Sequence, residues 1–132
     1  MYRPAFEESL EYAPAEDLAA ATIHVELTQG PILMLAGDDD QLWPSCTLAE
    51  IAEARLALEH AETWADEYVC YPEAGHFIIV PGAPTLRSNM SATDDGNYWL
   101  VGGTPRGNAH GQRDALDRTL RFLAESLGGA DL

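Results

Sequence analysis

Apolar positions in the first twenty-two residues are scattered among Glu and Ala and interrupted by Pro4 and Pro14, which predicts a short helix or two. Ile23, Val25 and Leu27 then alternate with polar residues, the pattern of an extended, half-buried segment. Gly30-Pro31 marks a turn. The unbroken apolar run over residues 32–36 predicts a strand covered on both faces, ended by Gly37, with a loop over 38–43. Thr47-x-x-Glu50 fits a capping box, and Leu48, Ile51, Ala52 and Leu56 share one face of the helix that follows, to about His60. Residues 67–71 read as a second strand, and Pro72-Glu73-Ala74-Gly75 as a turn that delivers His76. Pro81, Gly82 and Pro84 break the apolar stretch 77–80, and 85–107 is mostly loop, with turn-like 91–96 and apolar 98–101. The clearest helix is the last, where Leu116, Leu120, Leu123 and Leu127 form one apolar stripe stopped by Gly128-Gly129.

The order strand, helix, strand, loop, helix is a β-α-β-α unit, with a right-handed crossover and a parallel strand pair. Two short parallel strands make a poor domain, because such strands need neighbours and helices on both faces. The expected fold class is therefore α/β, at the edge of a larger sheet. The expected organisation is one partial domain over 1–132, with 1–22 as a lead-in and 23–132 carrying the chemistry. An unpaired strand edge also leaves a homodimer open.

Charge changes the picture of partners. Seven basic residues, all Arg, face 22 acidic ones, a net charge of −15. A phosphate backbone would be repelled, so nucleic acid is not expected as a partner. Two origins of the charge stand side by side: a saline cytoplasm that screens self-repulsion, or an ordinary acidic protein. No stretch is long and apolar enough to span a membrane, and the N-terminus lacks a basic-then-apolar leader, so a cytoplasmic location without membrane partners is expected. Cys46 and Cys70 are too few for a disulfide scaffold and lack metal-ligand spacing; Cys70 is expected to be a buried packing residue.

Functional groups in parallel sheets gather beyond the C-terminal ends of strands. Asp40 follows the first strand and His76 the second, so a carboxylate can hold the imidazole by one nitrogen and leave the other to take a proton. Asp40 as a turn or cap carboxylate is the plainer alternative. Asp38 and Asp39 are expected to be solvated charges or amide acceptors. A metal site from Asp38, Asp39, Asp40 and His76 is the weaker alternative, and no metal or cofactor is expected. His24, His60 and His110 read as surface or packing residues, and Trp43 as loop packing.

Gly-Pro-Ile-Leu-Met-Leu-Ala-Gly-Asp-Asp-Asp-Gln-Leu-Trp-Pro-Ser (30–45), Tyr-Pro-Glu-Ala-Gly-His-Phe-Ile (71–78) and Gly-Gly-Thr-Pro-Arg-Gly-Asn-Ala-His (102–110) carry a resemblance. They are similar to the C-terminal catalytic region of the acyl-CoA thioesterase / bile acid-CoA:amino acid N-acyltransferase family, related to the dienelactone hydrolases. The resemblance implies the C-terminal part of an α/β-hydrolase fold, an acyl-CoA or other acyl ester or thioester substrate, Asp40 as triad acid and His76 as triad base. Trp43 and Pro44 match the loop behind the acid, and Gly75 the small residue of the histidine turn. Gly102 and Gly103 match a loop of no assigned chemistry. Arg106 and Arg113 face two readings, contact with a CoA phosphate or generic salt bridges. The family's nucleophile sits in Gly-x-Ser/Cys-x-Gly, which does not occur here; Ser45 and Cys46 begin a helix, and Ser126 ends one. The expectation is a half that is inactive alone: a piece of a longer hydrolase, one chain of a two-chain enzyme, or a non-catalytic oligomerising module.

Overall fold

The computed structural model describes residues 2–60, 63–85, 89–91 and 98–128. Helices α1 (Arg3–Tyr12) and α2 (Ala15–Ala21) form the lead-in, α2 following the break at Pro14. Strands β1 (Leu33–Gly37) and β2 (Glu67–Tyr71) pair in parallel, in register from Leu33 opposite Glu67 to Gly37 opposite Tyr71. Helix α3 (Ser45–Glu59) connects them and packs on both. A short antiparallel pair, β3 (Asn89–Ser91) and β4 (Tyr98–Leu100), precedes α4 (Pro105–Ser126). The turn-like stretch expected after Ser91 lies outside the described residues, as does Gly129. Gly128 takes the left-handed conformation (φ 85°) that ends α4. The result is a small α/β fold on a two-stranded parallel sheet. No helix among the described residues is long and apolar enough to cross a membrane.

The core is Tyr71, Ala74, Ile78 and Ala115, with Leu35 and Val69 packed against it. Helix α4 contributes to burial through Gly107, Asn108, Gly111, Gln112 and Ala115, a face of small and amide side chains. The leucine stripe is not that face: Leu120 is 50% and Leu127 79% exposed, and Leu116 and Leu123 are also exposed. Close approach explains the choice. A Cβ on Gly107 would collide with the backbone of Glu73, so α4 can lie against the histidine loop only where it has no side chain. In α3 likewise Leu56 is buried but Ile51 is exposed.

Three local expectations are corrected. The segment 23–27 is not extended: Val25–Leu27 forms a 3₁₀ turn, and Ile23 and Leu27 are exposed. Among the described residues no strand pairs with it; instead Arg55 of α3 donates to both carboxylate oxygens of Glu26, through Nε at 2.9 Å and through Nη2, and holds its carboxyl at about 2. The capping box does not form, because α3 begins at Ser45, directly after Pro44, and Thr47 and Glu50 already lie within its first two turns. Cys70 is not a simple packing residue: it forms a disulfide with Cys46. The β-α-β path brings the first turn of α3 alongside β2, with the two Cα atoms 5.6 Å apart.

His60 is 3% exposed and fully partnered, Nδ1 with Asp66 at 2.6 Å and Nε2 with the Thr28 carbonyl at 2.8 Å. Both contacts favour the doubly protonated ring: Asp66 foremost, then the Thr28 carbonyl, raise its pKa against burial. The folded pKa exceeds the unfolded one, so this stabilisation is complete below about pH 6.5 and is lost as pH rises through the folded value. The melting temperature relative to His60→Asn is expected to be greatest near pH 5.5 and to shrink toward pH 8.5. A difference constant over that range would contradict the assignment.

Candidate functional site

Both candidate residues stand at the C-terminal end of the parallel pair. The sheet hydrogen bonds continue beyond the strands, from Asp38 N–H to the Tyr71 carbonyl (3.0 Å) and from Asp39 N–H to the Ala74 carbonyl (2.9 Å). The acid loop and the histidine loop are thereby locked side by side. Asp40 Oδ2 lies 2.9 Å from His76 Nδ1.

Asp40 is 1% exposed and every acceptor position is in use. Its Oδ1 accepts the amides of Leu42 (2.8 Å) and Trp43 (3.1 Å), and Oδ2 accepts Ser45 Oγ–H as well as His76. Burial pushes its pKa up, but donation from His76, Ser45, Trp43 and Leu42 outweighs it and leaves the carboxyl below the ordinary aspartate value. An ionised Asp40 can only accept, so Nδ1 carries the hydrogen and Nε2 is left as a base. Arg3 of α1 donates Nη1 to the carbonyls of Asp38 (3.0 Å) and Asp40 (2.9 Å), clamping the loop from the lead-in.

The histidine loop is fixed as firmly. Glu73 has a positive φ of 58°, which turns the chain back after Pro72. Its carbonyl accepts Thr104 N–H (2.8 Å), and His76 N–H donates to the Val101 carbonyl (2.7 Å). Gly75 N–H donates to the buried Asn108 Oδ1 at 2.8 Å. Trp43 and Phe77 meet the imidazole edge-on, with centroids at 5.1 Å and 5.4 Å, and Phe6 meets the other side of Trp43 at 6.3 Å. Trp43 thus packs against the histidine as well as within its loop.

Gly102 and Gly103, unassigned from the sequence, close the arrangement. Gly102 has φ 71°, and a Cβ there would strike the Asp39 carbonyl. Gly103 N–H donates to Asp39 Oδ2 (2.9 Å), and Asp39 Oδ1 accepts from Gln41 (2.6 Å). Asp39 is the amide acceptor of the two readings offered for it, and Asp38 is exposed. Both oxygens of Asp40 are spent on two donors each, and each oxygen of Asp39 accepts one. Sequence reasoning missed Ser45, Arg3 and Asn108. Only Ser45 left a trace, a hydroxyl in the first turn after an acidic loop.

A doubly anchored carboxylate that holds an imidazole by Nδ1 leaves Nε2 free to exchange a proton with a third group at the sheet end. Comparison with known proteins gives the family. Residues 5–129 match the family model described as BAAT / Acyl-CoA thioester hydrolase C terminal. The chain is 35% identical over 107 residues to acyl-coenzyme A thioesterase 6 of Homo sapiens, covering 81% of this chain and 25% of that protein. Identity is 36% to acyl-coenzyme A thioesterase 1 of Homo sapiens, with 81% and 25% covered, and 32% to peroxisomal succinyl-coenzyme A thioesterase of Mus musculus, with 80% and 24% covered. The chain spans about a quarter of the length of these relatives. By the match along nearly its whole length, the chain belongs to the BAAT / acyl-CoA thioester hydrolase C-terminal family.

Proposed function

We propose that this chain is the acid–base portion of an acyl-CoA thioester hydrolase of α/β-hydrolase fold, with Asp40 as triad acid and His76 as triad base. The observation that carries the reading is the 2.9 Å contact between Asp40 and His76 at the ends of adjacent parallel strands. The nucleophile, a Ser or Cys, comes from outside these 132 residues. His76 Nε2 takes its proton as it attacks the thioester carbonyl, and passes that proton to the departing thiolate. In the second half, water attacks the acyl-enzyme; His76 takes a proton from the water and returns one to the nucleophile. Asp40 stabilises the imidazolium in both halves without itself becoming protonated. The second edge of β1, unpaired among the described residues, and the exposed leucines of α4 supply the surfaces on which the rest of such a sheet packs.

A chimera tests this directly: residues 2–128, which keep the Arg3 clamp, replace the matching segment of human acyl-coenzyme A thioesterase 1. Hydrolysis of acyl-CoA is expected, and His76→Ala should remove at least about 10³-fold of it. A folded chimera without turnover, or one indifferent to His76→Ala, would sink the proposal. The 132-residue chain alone should show no turnover. Activity there that His76→Ala abolishes would place a nucleophile inside the chain.

A further inference from the structure

A groove of about 730 Å³ lies on the outer side of the histidine loop, lined by Pro72, Glu73, Arg106, Gly107, His110 and Arg113. We propose that it binds the diphosphate of a nucleotide-type ligand. That ligand is coenzyme A if the thioesterase reading above holds, and on that reading alone this identity rests.

Three cationic or ionisable donors on one face of α4 carry the inference. Arg106, His110 and Arg113 are spaced i, i+4, i+7, all exposed, and all open into the same groove. The charge balance makes this unusual. Arg3 reaches Glu7, Arg55 reaches Glu26, and Arg118 and Arg121 reach Glu67, in a chain of 22 acidic residues. Among the described residues, Arg106 and Arg113 make no ion pair.

One acid next to Arg113 in the chain, Asp114, is already committed. Asp114 accepts Tyr71 Oη at 2.9 Å and Arg118 Nε at 2.6 Å. Glu73, the acid that lines the groove, accepts Thr104 Oγ1 at 3.2 Å. His110, between the two arginines in sequence, meets the Tyr71 ring edge-on, centroids 6.2 Å apart.

The paired forks suit a multiply charged ligand. Seven residues of helix separate the arginine Cα atoms by roughly 10 Å, a gap that two long side chains can close from either side. Two linked phosphoryl groups offer each planar guanidinium fork its own oxygens, with His110 between. A net charge of −15 repels free anions at long range, so occupancy must come from these direct contacts. Asp40 and His76 do not line the groove, so the site and the proton-transfer pair can be tested apart.

The test is calorimetric titration of the 132-residue chain at low salt with pyrophosphate, coenzyme A and phosphate-free pantetheine. It is repeated on Arg106→Gln/Arg113→Gln and on His76→Ala, each checked for native circular dichroism. Pyrophosphate is expected to bind and pantetheine not to. The double variant should weaken binding on the order of a hundred-fold, and His76→Ala should leave it unchanged. Coenzyme A binding in parallel assigns the source of the diphosphate; pyrophosphate binding without coenzyme A keeps the site and removes that source. No pyrophosphate binding, or equal binding by the double variant, overturns the proposal. Because His76→Ala retains the groove, loss of the thioesterase reading would leave this result standing.

Discussion

Asp40→Asn is expected to lower kcat of the thioesterase chimera about 10⁴-fold while leaving it folded. The amide replaces one oxygen and keeps the other. Its carbonyl can stay at the Oδ1 position, where Leu42 and Trp43 donate, so the loop retains its two backbone anchors. Its NH₂ then occupies the Oδ2 position, facing His76 Nδ1 and Ser45 Oγ. Ser45 can rotate from donor to acceptor, but the imidazole can accept only by moving its hydrogen to Nε2. A ring protonated at Nε2 cannot take a proton from a nucleophile, so the loss falls on kcat rather than on binding. The check pairs steady-state kinetics of the chimera with nitrogen-15 spectra of His76 in the 132-residue chain. Those spectra should show the hydrogen on Nδ1 in the wild type and on Nε2 in the variant. An unchanged tautomer with full activity would remove Asp40 from the role of acid.

The second large effect concerns stability. Cys46→Ser is expected to cost about 3 kcal/mol, because the Cys46–Cys70 bond closes a loop across a sequence separation of 24. In a chain of this size that corresponds to a fall in melting temperature of roughly 10–20 °C. Reductant should produce the same fall in the wild type and none in the variant. The disulfide holds the first turn of α3, where Ser45 donates to Asp40, to the strand that leads into the histidine loop. A wild-type melting temperature indifferent to reductant would show that this tie contributes nothing.

Local signals were legible where they were strong and self-contained. The apolar run 32–36 falls within one residue of β1, residues 67–71 match β2, and Pro14 separates two helices as its place in the chain suggested. The positions of Asp40 and His76 after those strands followed from strand ends alone. What escaped depended on partners distant in sequence. Arg3 reaches the acid loop 35 and 37 residues away, and Gly103 reaches Asp39 across 64. The disulfide needed the path of α3 over the sheet to be known. The capping box failed for a local reason: the helix starts at Ser45, three residues early, so the right residue types stand in the wrong turn.

The leucine stripe of α4 misled differently, since its periodicity describes a surface that this chain leaves open. That openness has a colloidal consequence. Leu116, Leu120, Leu123 and Leu127, with the edge of β1 that is unpaired among the described residues, are adhesive parts of the molecule, and the charge of −15 opposes contact between copies. Salt shortens the reach of that repulsion from about 10 Å at 0.1 M to about 3 Å at 1 M. The same ions that relax strain among carboxylates within one copy therefore lower the barrier to clumping between copies. Whether this chain disperses or precipitates in brine depends on whether its leucines are covered.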